Sequence, residues 1–166
     1  MSITNEAKIK DPSTQAMRGL CAKRATTICY MIDEAKKLGL DDAFARKAIW
    51  QYGLDIGNEI KKQMKDPSDM VEFAEFFGIG FDKNIYEMQT VAADAEKLHI
   101  DFHYCPYVAQ WLKMGRPVAE LDRLCDIAME GDRAIGACFE DFKFTLGKTI
   151  AQGNCVCEIR FDKVGK

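Results

Sequence analysis

Leu98-His99-Ile100-Asp101-Phe102-His103 decides the fold class, because it is where the chain changes period. Leu98, Ile100 and Phe102 alternate with His99, Asp101 and His103, the two-residue repeat of a β-strand with one apolar and one wet face. Glu87–Ala93 is read as its antiparallel partner. Pro106, which cannot donate to a ladder, stops the strand at Cys105.

Downstream, Tyr107–Met114 reads as a short helix ended by Gly115. A longer helix follows with Pro117 in its first turn and Val118, Leu121, Leu124/Cys125, Ala128 and Ile135 on its apolar stripe, although Gly131 and Gly136 weaken its second half. Phe142–Gly147 and Cys155–Phe161 return to period two, with Phe142/Phe144/Leu146 and Cys155/Cys157/Ile159/Phe161 in phase, and are joined through Gln152-Gly153-Asn154.

Upstream the period is helical. From Ser13 to Leu38, Met17, Leu20, Cys21, Ile28, Ile32 and Ala35 form a stripe closed by Gly39. Asp41 or Asp42 caps a second helix in which Phe44, Ala48, Tyr52, Ile56 and Ile60 recur every fourth residue, with Lys61, Lys62 and Lys65 suiting its C-terminal dipole. These two helices are expected to pack as an antiparallel pair. Asp66-Pro67 reads as N-cap and N1 of a third helix ending at Phe77, burying Phe73, Phe76 and Phe77 before Gly78 and Gly80 break it.

The order αααββααββ implies an α+β fold, N-terminal helices packed on a C-terminal antiparallel sheet with one or two inserted helices. The 166 residues suit one domain, residues 13–166, preceded by a flexible segment 1–12. With 23 Lys+Arg against 26 Asp+Glu there is no whole-chain electrostatic case for nucleic-acid binding. The polar N-terminus is no signal peptide and no apolar run approaches about 18 residues, which predicts a cytoplasmic protein with no membrane partner. Seven cysteines in a reducing compartment do not read as a disulfide framework, leaving buried hydrophobes, metal ligands or reactive thiols, with core packing expected for most.

No phosphate loop, dinucleotide fingerprint, GxSxG elbow or HExxH helix occurs. Thiols and polar groups instead cluster in the second half: His99, Asp101, His103, Cys105, Cys125, Asp126, Glu130, Asp132, Cys155 and Cys157. His99, Asp101, His103 and Cys105 fall at steps of two, a ligand row if Cys105 continues the strand, although a solvated outer face is the plainer reading. Cys155 and Cys157 share a strand face with Ile159 and Phe161, and Cys125 lies on its helix's apolar stripe. Periodicity therefore makes all three core, as it does Cys21, Cys29 and Cys138. Arg160 points to the other sheet face, where it either clamps a substrate carboxylate or pairs with a neighbour such as Glu158.

Three segments, Tyr104-Cys105-Pro106-Tyr107, Leu124-Cys125-Asp126 and Thr149-Ile150-Ala151-Gln152-Gly153-Asn154-Cys155-Val156-Cys157-Glu158-Ile159-Arg160-Phe161, resemble in order and spacing the L-2-amino-thiazoline-4-carboxylic acid hydrolase family. Asn154 stands where the family usually has Asp, and serves equally as a turn former. The resemblance implies hydrolytic opening of a cyclic amidine, in which water adds to C2 of 2-aminothiazoline-4-carboxylate and the C–S bond breaks, giving N-carbamoyl-cysteine. Cys105, Cys125 and Cys157 match motif cysteines and Asp126 the acidic position, which makes these four the candidate catalytic residues. His103, Glu130 and Arg160 are candidate substrate-binding groups.

Two mechanisms stay open. Cys105, Cys125 and Cys157 hold zinc, with Asp126 or Glu130 as general base on a bound water, or Cys125 beside Asp126 is a covalent nucleophile. The lack of a CxxC pair favours the second. The helix–sheet order also resembles, more loosely, vinyl-reductase-like domains that bind small hydrophobic ligands, which would make the chain a non-catalytic ligand- or metal-binding module. A third reading is an interaction domain that forms homo-oligomers through an exposed sheet edge.

Overall fold

The computed structural model of the chain describes residues 2–78 and 81–165. Its helices are α1 (Pro12–Lys37), α2 (Ala43–Gln63), α3 (Met70–Phe76), α4 (Phe81–Ile85), α5 (Pro106–Lys113), α6 (Val118–Ala128) and α7 (Glu130–Ala137). Its strands are β1 (Met88–Ala93), β2 (Lys97–Phe102), β3 (Phe142–Leu146) and β4 (Cys157–Lys163), with a 3-10 turn at Ile150–Gln152. The strands form one antiparallel sheet in the order β1-β2-β4-β3. The α+β class expected from the change of period is the observed one.

On β2, Leu98, Ile100 and Phe102 are buried between half-exposed neighbours. They stand directly opposite Phe161, Ile159 and Cys157 of β4, so the two central strands turn six apolar side chains to one face. Phe73 of α3 seals that face, its ring 5.0 Å from Phe161 and 4.9 Å from Phe139. Edge-to-face arrangements of this kind add to the area buried.

Several boundaries differ from the sequence reading. Asp66 does not cap α3; its carboxylate accepts from Ser68 in a local turn, and Asp69 caps the helix by accepting from the N–H groups of Val71 and Glu72. Phe73 and Phe77 are buried but Phe76 is only partly so, and Gly80 lies outside the described residues. A fourth helix, α4, follows where none was expected. The long helix after Pro117 is two, α6 and α7, meeting at Met129. β4 begins at Cys157, leaving Cys155 exposed ahead of it rather than in the core.

The expected α1–α2 pair is absent as such. α1 packs on α4 and α5, whereas α2 packs on α7 and α6. The α2–α7 contact is close because it is built on glycine: a Cβ on Gly53 would stand 2.2 Å from the Gly131 carbonyl oxygen. Residues 2–10, expected to be flexible, lie across the fold, with the backbone N–H groups of Lys8 and Ile9 donating to Glu87 at 2.6 and 2.8 Å and Ile9 accepting from Arg18. Among the described residues no helix is long and apolar enough to cross a membrane.

Candidate functional site

Helical stripes bury against whatever they face, and the stripes of α1 and α2 face a cavity. Met17, Leu20 and Cys21 from α1 and Tyr52, Ile56 and Ile60 from α2 line opposite walls of a space of about 440 Å³. That volume is typical of a small-molecule site. Leu20 and Tyr52 are 54% and 46% exposed, which places the mouth between the two helices.

Cys105, Cys125 and Cys157 meet on the inner wall. Cys105 does not continue β2; it is the N-cap of α5, its thiol accepting from Val108 N–H at 3.5 Å, so the proposed ligand row breaks. The Cys157 thiol accepts from Ile150 N–H at 3.3 Å, and Thr149 lies with Cys125 on the wall of an adjoining hollow. The Thr149–Cys157 segment thus wraps the thiols, with Thr149 and Gln152 forming a reciprocal cap on the turn. Burial dominates their chemistry, pushing Cys105 up to about 11, Cys157 up to about 12 and Cys125 further still. At neutral pH all three are thiols, and among the described residues no group of three His, Cys, Asp or Glu side chains is placed to hold a metal ion. The residues do not fit the zinc site.

The carboxylates expected beside the thiols point elsewhere. Adjacent residues on a helix project about 100° apart, and Asp126 turns away from Cys125 to accept from Arg46 at 2.8 Å and Arg133 at 2.5 Å. Burial opposes its ionisation, yet these two arginines hold it below the usual carboxylate range. Glu130 joins the same network, 2.8 Å from Arg46. Asp126 lines this separate polar hollow with Asp122, Arg133, Thr149 and Gln152, and Cys125 lines it too. His99 bonds to Asp162 at 2.8 Å, His103 to Gln89 at 3.1 Å, and Arg160 pairs with Asp101 at 2.6 Å, all on the outer sheet face and none lining the cavity.

Three charged groups line the cavity, Arg24, Asp132 and Asp82; Asp82 is exposed on α4, and the other two carry the cavity's chemistry. Asp132 enters from α7, and the protein around it pushes its carboxyl up to about 6. No other side chain within the described residues hydrogen-bonds to it. Arg24 continues the α1 stripe one turn beyond Cys21 and stacks 4.2 Å over Tyr52 at the mouth. Among the described residues Arg24 is the one arginine with no carboxylate at ion-pair distance. An arginine on an apolar helical stripe was the available signal for it, and sequence reasoning passed over it. Asp132 stood in the second-half cluster without a role.

These features define an α+β protein with a thiol-walled cavity lined by one arginine, Arg24, and two aspartates, Asp82 and Asp132. The chain belongs to the L-2-amino-thiazoline-4-carboxylic acid hydrolase family, whose profile matches residues 20–161. Comparison with curated protein sequences finds no match. Among solved structures it is similar in fold to a trafficking protein particle complex subunit 3 from Naegleria fowleri covalently bound to palmitic acid. That likeness has 12% identity, covers 91% of this chain and 97% of the other, and has a TM-score of 0.56.

Proposed function

We propose that the chain hydrolyses a small cyclic amidine acid of the kind its family is named for, inside the cavity between α1 and α2. The observation that carries this is the meeting, in one largely apolar space, of Arg24, which among the described residues has no carboxylate at ion-pair distance, and Asp132, which takes no hydrogen bond from another side chain among them. Arg24 binds the ring's carboxylate at the mouth, where its planar fork matches two oxygens. Asp132, titrating close to working pH, serves as general base and then as general acid.

The step balances without a metal or a covalent enzyme intermediate. Asp132 takes a proton from water as the water oxygen bonds to C2, the C2–N3 π pair moves to N3, and Asp132 gives N3 that proton. The tetrahedral centre then collapses, its hydroxyl proton passing to Asp132 as the carbonyl forms and the C2–S pair moves to sulfur, and Asp132 delivers this second proton to the sulfur. The product is a ureido thiol. Cys105, Cys125 and Cys157, as neutral thiols, wall the ring off from bulk water.

The test is thiol released from 2-aminothiazoline-4-carboxylate in excess of the protein's own seven cysteines. Asp132→Asn is expected to lower kcat by about a hundredfold or more and Arg24→Met to raise KM, whereas Asp126→Asn leaves turnover within a few-fold. Turnover kept in Asp132→Asn but lost in Asp126→Asn would overturn the assignment. The apolar walls also favour a second reading, a module that holds an apolar ligand without turnover, as the similar structure holds palmitate. Ligand-dependent stabilisation with no product would select it.

A further inference from the structure

The cavity is larger than the ring. At about 30 Å³ of liquid volume per water-sized group, about 440 Å³ accommodates roughly fifteen such groups, whereas 2-aminothiazoline-4-carboxylate has about nine non-hydrogen atoms. Space for about six more is left, and its position follows from the helices. Arg24 stacks on Tyr52, so those two residues fix one end of the slot. From there α1 runs back to Met17 and α2 runs on to Ile60, each about 10–12 Å at 1.5 Å per residue. The far end is walled by Met17, Cys21, Ile56, Ile60 and Phe76, with the exposed carboxylate of Asp82 on the Cys21 side. A cavity so lined binds apolar groups better than it binds water.

Resting on the reading above, we propose that the substrate is an apolar-substituted ring acid: its carboxylate lies at the mouth on Arg24, its ring beside Asp132, and a phenyl- or hexyl-sized substituent fills the far end between Met17, Cys21, Ile56 and Ile60. A bare ring leaves that end empty or wet. The polar mouth and apolar far end together select an amphipathic acid over a neutral hydrocarbon or a fully polar ring.

The experiment uses the full chain and 2-aminothiazoline-4-carboxylates carrying hydrogen, methyl, butyl, phenyl or decyl at C5. Thiol release is measured, and in parallel the thermal stabilisation given by benzoate, 4-phenylbutyrate and 6-phenylhexanoate. The expected result is a kcat/KM that climbs about fourfold per buried methylene, reaches its maximum at butyl or phenyl and falls at decyl. In Ile60→Trp, which fills the far end, the phenyl-to-hydrogen ratio falls at least tenfold. Turnover that is equal for all substituents overturns the inference and leaves the proposed function standing. If no ring is opened, the proposed function fails and the carboxylate series decides alone: stabilisation that grows with the apolar body and disappears in Arg24→Met supports the inference, and stabilisation independent of the body, or none, overturns it.

Discussion

The side-chain amide of Asn5 brackets the backbone of Cys105, accepting its N–H at 2.9 Å and donating to its carbonyl at 2.8 Å. A residue from the N-terminal strap thereby fixes the cap of α5 and one thiol of the cavity wall. Nearby, Arg18 and Glu87 form a buried ion pair at 3.0 Å, with the Glu87 carboxylate also receiving Lys8 and Ile9. The strap is part of the site's frame.

Breaking this frame has graded effects. Asn5→Ala removes two hydrogen bonds and is expected to cost about 1–2 kcal/mol, whereas Arg18→Met leaves a buried carboxylate short of its cation and costs about 3–5 kcal/mol. Urea denaturation measures both. Equal small losses would mean that the strap adds nothing to the fold.

Asp132 links stability to pH with a definite sign. Its folded value, about 6, lies above that of an unfolded chain, so the folded protein holds this proton more tightly. Its contribution is full below about pH 4, is lost as pH rises toward 6, and stays lost above. Asp132→Asn should therefore stabilise the protein by roughly 1–3 kcal/mol at pH 7.5 and hardly at all at pH 4. A gain equal at both pH values would contradict the burial of an ionised Asp132. In the active protein the same group predicts an acid limb near pH 6 in kcat/KM.

Gly53 admits no side chain. A methyl there would meet the Gly131 carbonyl oxygen at 2.2 Å and the Ala134 Cβ at 2.7 Å, so Gly53→Ala must push α2 off α7. The expected cost is about 3 kcal/mol, a fall in Tm of roughly 6–12 °C for a chain of this size. Gly19→Ala, where nothing lies within 4 Å, is the matched control and should raise Tm slightly.

Alkylation orders the cysteines. Cys155 is exposed, whereas Cys105, Cys125 and Cys157 are held protonated by burial. Iodoacetamide at pH 7.5 should label Cys155 first and the three wall thiols roughly a hundredfold more slowly, as peptide mapping will show. Rapid labelling of Cys125 would restore its role as a nucleophile.

The sheet was legible because period two admits one reading when Leu98, Ile100 and Phe102 alternate with His99 and Asp101. The site was less so, since a cavity wall and a core wall have the same apolar period. Met17, Tyr52 and Ile56 therefore read as helix pairing although they line a space. Cys105 was placed on the strand, although Pro106 at the first helical position already marked it as a cap. Asp126 was a candidate because it matches the acidic position of the family motif, while Asp132, which enters the cavity, comes from the next helix. No spacing rule joins Arg24 to Asp132, because they lie on helices that converge only in three dimensions.

Because β4 lies between β2 and β3, the last of these four strands to be made is the one that completes the sheet. Until Lys163 has left the ribosome, β2 has an open edge and Cys157 and Phe161 are missing from the face that α3 covers. The β1–β2 hairpin must wait more than fifty residues for its partner, and such distant closure is slow and exposes edges to other chains. Formation of the thiol wall is thus timed to the synthesis of β4: a nascent chain that stops short of it has Cys105 and Cys125 but no completed cavity wall, and competence to bind a ligand arrives in one step with that strand.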